Sequence, residues 1–148
     1  MYQTILVATD GSDLSTRAVR EAARLAAGLG STLLILHVRS PMEMPHLVEG
    51  GALARLPGTT LLEALEAEER ELMECAVKEA RDAGVEAKPA FITGTSPYEA
   101  ILRVATEQAC DLIVMASHGR RGLSGLLVGS ETKKLLTHVV GTSVLIVR

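Results

Sequence analysis

Asp111-Leu112-Ile113-Val114-Met115-Ala116-Ser117-His118-Gly119 joins a continuous apolar run to the head of a glycine-punctuated segment that ends at Gly129-Ser130. A short apolar run with no polar alternation reads as a strand buried on both faces, the mark of a parallel sheet covered by helices on each side. The residues after it lead from that strand into a helix, so they fall at the carboxyl edge of the sheet. Ligands of such folds bind at that edge.

The rest of the chain repeats the pattern. Thr4 to Thr9 is short, apolar and partly β-branched, and Asp10-Gly11-Ser12-Asp13 supplies a turn and a helix cap. Leu14, Ala18, Val19, Ala22, Leu25, Ala26 and Leu29 then recur at helical spacing, with Gly28 and Gly30 to end the helix. Thr32 to Val38 predicts the second strand. Arg39 to Pro57 holds three prolines and two adjacent glycines without a period, and is read as a long loop or lid.

Thr60 and Glu63 have the spacing of a capping box, and Leu61, Leu65, Leu72, Ala76, Val77 and Ala80 carry an apolar stripe toward Gly84. Val85 to Ile92 predicts a strand. Ser96, Pro97 and Glu99 predict a capped helix start, with Ala100, Ile101, Val104 and Ala105 on its inner face. After the strand Asp111 to Ala116, a last helix from about Ser130 to His138 leads to the strand Ser143 to Val147. Strands alternating with helices predict one doubly wound α/β domain over residues 1–148, a five-stranded parallel sheet with helices on both faces.

Composition narrows the function. Apolar residues make up 47% of the 148, which excludes a disordered chain, and no apolar run approaches the length of a membrane span. A net charge of −3, no basic half and 2% aromatic residues argue against nucleic acid as a partner. The start Met1-Tyr2-Gln3-Thr4 lacks the basic patch of a signal peptide, so the expected location is the cytoplasm. Cys75 and Cys110 lack any metal or redox spacing and are expected to be buried thiols. His37, His46, His118 and His138 lack paired-ligand spacing, and the acidic run Glu66 to Glu71 reads as a solvated helix face.

The chemistry concentrates between Gly119 and Ser130. Glycines let backbone amides approach an anion, and Gly129-Ser130 at a helix start offers amides at the positive end of the helix dipole. Arg120 and Arg121 add charge, and a Ser130 or Thr132 hydroxyl could donate to a phosphate oxygen. A plain surface loop with a capped helix fits the spacing equally well. Neither a Walker loop nor a dinucleotide glycine motif after the first strand is present.

Over essentially the whole chain the pattern resembles the universal stress protein family. The resemblance is carried by Ile5-Leu6-Val7-Ala8-Thr9-Asp10-Gly11-Ser12, by Leu36-His37-Val38, and above all by Met115 to Gly119, Gly129-Ser130 and Val144 to Val147. The ATP-binding branch of that family has a glycine, two residues, a second glycine, nine residues, then a glycine followed by serine or threonine. Here those positions hold Ala116, Gly119, Gly129 and Ser130, so the first glycine is replaced by the smallest chiral residue.

The resemblance implies a strand order of 3-2-1-4-5 and ATP as ligand, with magnesium or manganese held mainly by the phosphates. It puts Ala8, Thr9 and Asp10 near the ribose or adenine, the Val38 backbone against the adenine edge, and Met115 and Ala116 beside the sugar. His118, Gly119, Arg120, Gly122, Gly129, Ser130, Glu131 and Thr132 would surround the phosphates. It implies a homodimer through Ser143 to Val147, the apolar strand left at the sheet edge.

The favoured function is therefore an ATP-binding stress-response or regulatory module without assigned catalytic or metal-ligating residues. A slow ATPase, an adenylating enzyme of the related α/β ATP-pyrophosphatase group and a non-binding interaction module of the same fold are the alternatives. A phosphorelay receiver shares the alternation but needs an acidic phosphoacceptor after the third strand, where this chain has Phe91-Ile92-Thr93-Gly94.

Overall fold

A computed structural model describes residues 1–39, 41, 60–119 and 128–148. Among these, five strands and four helices follow in the order β1 (Thr4–Ala8), α1 (Asp13–Leu29), β2 (Thr32–Arg39), α2 (Leu61–Asp82), β3 (Ala87–Thr93), α3 (Pro97–Glu107), β4 (Leu112–Ala116), α4 (Ser130–His138) and β5 (Ser143–Val147). The strands form one parallel sheet in the order β3-β2-β1-β4-β5. The predicted fold class and strand order both hold. All but two residues of the predicted lid, Arg39 and Pro41, together with Arg120, Arg121 and Gly122, lie outside the described residues.

Strand alternation sorts the core into two layers. Ile5, Val7, Leu33, Ile35, Leu112 and Val114 pack against α1 and α2, while Leu6, Leu34, Leu36, Ile113 and Met115 pack against α3 and α4. The register makes this inevitable: Ile5 sits beside Leu33 and Leu112, and Leu6 beside Leu34 and Ile113. On α1 the buried face is mostly alanine (Ala18, Ala22, Ala23, Ala26), which lets the helix lie close to the sheet.

Several boundaries differ from the sequence reading. The third strand begins at Ala87 and not at Val85, because Gly84 adopts φ 85° and the Val85 amide turns back to the Ala80 carbonyl. The fourth begins at Leu112; Asp111 just before it still bonds through its backbone to Thr4 and Ser143, while its carboxylate accepts from the amides of Gln3 and Thr4. Thr9 lies just beyond β1, although its amide still reaches the Leu36 carbonyl at 2.9 Å. On α2 the capping box between Thr60 and Glu63 forms in both directions, and Met73 is buried where Leu72 is only half-buried.

Three side chains sit otherwise than expected. Cys75 is exposed; only Cys110 is buried, and burial pushes its thiol up to about 11. Ser96 occupies the N-cap of α3 without making a side-chain cap bond; the Glu131 carboxylate on α4 accepts from the Tyr98 amide instead, at 3.1 Å. Glu69, inside the acidic run read as solvated, turns inward and pairs with Arg39. No helix among the described residues is long and apolar enough to cross a membrane.

Candidate functional site

The strand order locates the site. From β1 the sheet grows to β2 and β3 on one side and to β4 and β5 on the other, so the connections part at the carboxyl ends of β1 and β4. Two loops leave the sheet there, Thr9-Asp10-Gly11-Ser12 and Ser117-His118-Gly119.

The first loop is fixed by its own polar groups. Asp10 Oδ1 accepts from the Ser12 amide at 3.0 Å, and Thr9 Oγ1 accepts from the Gly11 amide at 3.2 Å and meets Ser15 Oγ at 3.1 Å. Gly11 has φ 78°, a conformation that favours glycine, and Ser12 caps α1 through a bond from the Ser15 amide.

The second loop approaches the first so closely that a side chain at Gly119 would displace the Asp10 carboxylate. A Cβ on Gly119 would lie 2.6 Å from Asp10 Oδ2. A Cβ on Gly129, at the N-cap of α4, would lie 3.2 Å from both Cα and Cβ of His118 and 3.3 Å from the Ser117 carbonyl oxygen. The Gly129 amide donates to that same carbonyl at 2.6 Å. Asp10, Gly119, His118 and Gly129 thus form one continuous edge, although 119 positions separate the first from the last.

At α4 the first helical bond runs from the Lys133 amide to the Gly129 carbonyl, so the amides of Ser130, Glu131 and Thr132 precede the ladder at the positive end of the helix. Their side chains face differently. Ser130 is exposed, whereas Thr132 is buried and its hydroxyl donates to the Ala116 carbonyl at 3.1 Å, latching α4 to the end of β4. Glu131 is taken up by the Tyr98 amide and by Lys134 at 2.9 Å. Thr132 and Glu131 therefore offer this edge their amides, with their side chains already engaged.

Ala8, Val38 and Met115 line the α3/α4 side of the sheet near its carboxyl end, the first two half-buried, and Ala116 follows Met115 in β4. His118 is half-buried, with Nδ1 3.1 Å from Ser117 Oγ, a partner that orients the ring. Arg120 and Gly122 lie outside the described residues.

The sequence reading passed over one group beside this edge. His37 and Arg39 flank Val38 in β2, and Glu69 of α2 meets both. The hydrogen bonds to Glu69 hold the Arg39 guanidinium above its ordinary value. Two residues spaced by one in a strand share a face, so His37 and Arg39 were recognisable as neighbours; their partner was hidden among the acids of α2.

A model described as the universal stress protein family matches residues 1–148 of the chain. Universal stress protein YxiE of Bacillus subtilis is 33% identical, with all of each chain covered. Universal stress protein MJ0577 of Methanocaldococcus jannaschii is 28% identical over 92% of this chain and 89% of its own; its solved structure superposes with a TM-score of 0.79 over 99% and 96%. A solved universal stress protein in complex with cAMP is also 28% identical, with a TM-score of 0.71 over 99% and 97% of the two chains.

Proposed function

This chain belongs to the universal stress protein family, and from that premise we propose that the edge formed by Asp10, Gly119 and Gly129 binds ATP. The chain would serve as a nucleotide-dependent regulatory module in the cytoplasm. The observation that carries the reading is steric: Gly119 and Gly129 leave bare backbone where a Cβ would strike Asp10 or His118, beside three amides at the start of α4. The relative in complex with cAMP supports an adenine nucleotide as the class of ligand.

In this reading charge sets the orientation. Polyphosphate seeks the positive end of α4 and the amides of Ser130, Glu131 and Thr132, with Gly119, Gly129, His118, Arg120 and Gly122 around it. The Asp10 carboxylate repels phosphate and accepts from a ribose hydroxyl, as acidic residues do in other doubly wound nucleotide sites. Ala8, Thr9 and the Val38 backbone then meet the adenine, and Met115 and Ala116 flank the sugar. Magnesium or manganese would sit on the phosphate oxygens and neutralise their charge.

Calorimetric titration of magnesium ATP into the full chain is the test. Saturable binding is expected, with ADP released no faster than the background rate over hours. No heat at millimolar nucleotide would sink the reading in favour of a non-binding module, and many turnovers per minute would replace it with an ATPase.

We propose further that the protein is a homodimer through β5. This strand is the last in the sheet order, Leu145 on it is exposed, and Val140 just before it is 90% exposed. Pairing with a second copy would cover an apolar edge that soluble proteins rarely leave open. Sedimentation at micromolar concentration should give the dimer mass; monomer alone would overturn this.

A further inference from the structure

His37 and Arg39 project from one face of β2, toward α2, while Val38 between them packs on the opposite face. The buried His37 places Nδ1 2.9 Å from the Thr9 carbonyl oxygen. A carbonyl only accepts, so Nδ1 carries the hydrogen and the bond ties β2 to the residue immediately before Asp10. The neighbouring bond from the Thr9 amide to the Leu36 carbonyl makes this a double fastening. On the far side of the ring, Nε2 lies 3.7 Å from Glu69 Oε1.

Glu69 is simultaneously gripped by Arg39 through two parallel bonds, Nε to Oε1 at 2.7 Å and Nη2 to Oε2. Its side chain is only 13% exposed, which sets this pair apart from the open surface pairs of α1 and α4. Both neighbours of Val38 are thereby held by side chains, and one carboxylate on α2 joins them. Phe91 of β3 closes the group edge-on to the His37 ring, with centroids 6.4 Å apart.

We propose that His37, Arg39 and Glu69 are positioning residues that set the Val38 backbone and the Thr9-Asp10 turn to read the base and ribose. Base selectivity would then be governed from α2, a helix outside the phosphate cradle. This rests on the assignment of the adenine edge to Val38 made above. A base read by backbone groups presents fixed donors and acceptors, and adenine and guanine differ by exchanging them. Discrimination therefore depends on holding that backbone still. The phosphate-facing amides belong to α4, across β1 and β4 from this frame, so the two halves of the site are separable.

The experiment titrates magnesium ATP, magnesium GTP and magnesium tripolyphosphate into the full chain and into His37→Leu, His37→Asn and Glu69→Ala, with amide hydrogen exchange of each protein free of nucleotide. In His37→Leu and Glu69→Ala, ATP affinity should fall about tenfold and the preference over GTP should shrink. Tripolyphosphate affinity should stay within about twofold. His37→Asn keeps an N–H where Nδ1 was and should recover most of the ATP affinity.

The amides of residues 9–11 and 37–39 should exchange faster in the two damaging variants. Glu69 belongs to neither apolar layer of the core, so Glu69→Ala keeps the test open should His37→Leu fold poorly. Equal losses for ATP and tripolyphosphate, unchanged exchange, or no rescue by asparagine would overturn the frame. A wild-type chain that binds tripolyphosphate without preferring ATP to GTP would overturn it and leave the cradle standing. One that binds no phosphate ligand would sink the ATP reading, and the exchange comparison would still decide whether the frame holds the loop.

Discussion

Gly129→Leu is expected to weaken ATP binding by about a hundredfold or more while the protein stays folded. Backbone strain is not the cause: φ −70° and ψ 164° at this residue suit any amino acid. The obstacle is space, since the first side-chain atom already meets the His118 backbone at 3.2 Å and the Ser117 carbonyl at 3.3 Å. Relief comes only by moving the start of α4 away from β4 or by turning the side chain over the amides of residues 130–132. Either outcome would remove the charge-assisted bonds proposed for phosphate. The packing cost of such an insertion is about 1–3 kcal/mol, which a domain of this size survives. Calorimetry against ATP, with circular dichroism as the check on folding, measures both; undiminished affinity would refute the cradle.

Leu135→Ala should produce the largest loss of stability outside the sheet. Leu135 has no exposed surface and packs in the layer formed with Leu6, Ile101, Ile113 and Met115. Truncating such a side chain costs about 2–5 kcal/mol, a large fraction of the ~5–15 kcal/mol that holds a domain together. The helix it anchors has nine residues, too few to persist unless docked. The thermal midpoint should therefore fall by roughly 10 °C, and saturating ATP should restore part of the loss, because ligand binds only the docked helix. Leu136, one residue along and 44% exposed, is the control: its replacement by alanine should shift the midpoint by about 2 °C or less. Equal shifts for the two would remove Leu135 as the anchor of α4.

Legibility in the sequence followed the range of the interaction. The capping box of Thr60 and Glu63, the apolar run of β4 and the bounds of α4 are local, and all three were readable from neighbouring residues. Partners distant in the chain were not. Ser96 carried the right residue type for a cap, yet the bond went to Glu131, which reaches the same helix end from α4. Glu69 looked like one more surface acid until the strand order brought Arg39 opposite it. Alternation marks Cys75 no differently from Cys110, and only the turn of α2 shows that it faces outward.

The same division holds for the site. Glycine spacing by itself left a phosphate cradle and an ordinary loop equally acceptable. The adjacency of Asp10 and Gly119, more than a hundred residues apart, follows from β1 and β4 being neighbours. That order came from the family resemblance, since alternation of strands and helices is compatible with many orders. Once it is in place, the choice of glycine at 119 has a reason that can be stated in ångströms.

The first turn of α4 is held on two sides, by Thr132 to the end of β4 and by Glu131 to the start of α3. Its three amides are thus aimed in advance of the nucleotide proposed to bind there, and no helix would have to form around the guest. Capture then becomes a matter of encounter, and nucleotides alike in their phosphates should arrive at similar speeds whatever base they carry. What separates them is dwell time. A stopped-flow trace would show that difference in the dissociation limb alone.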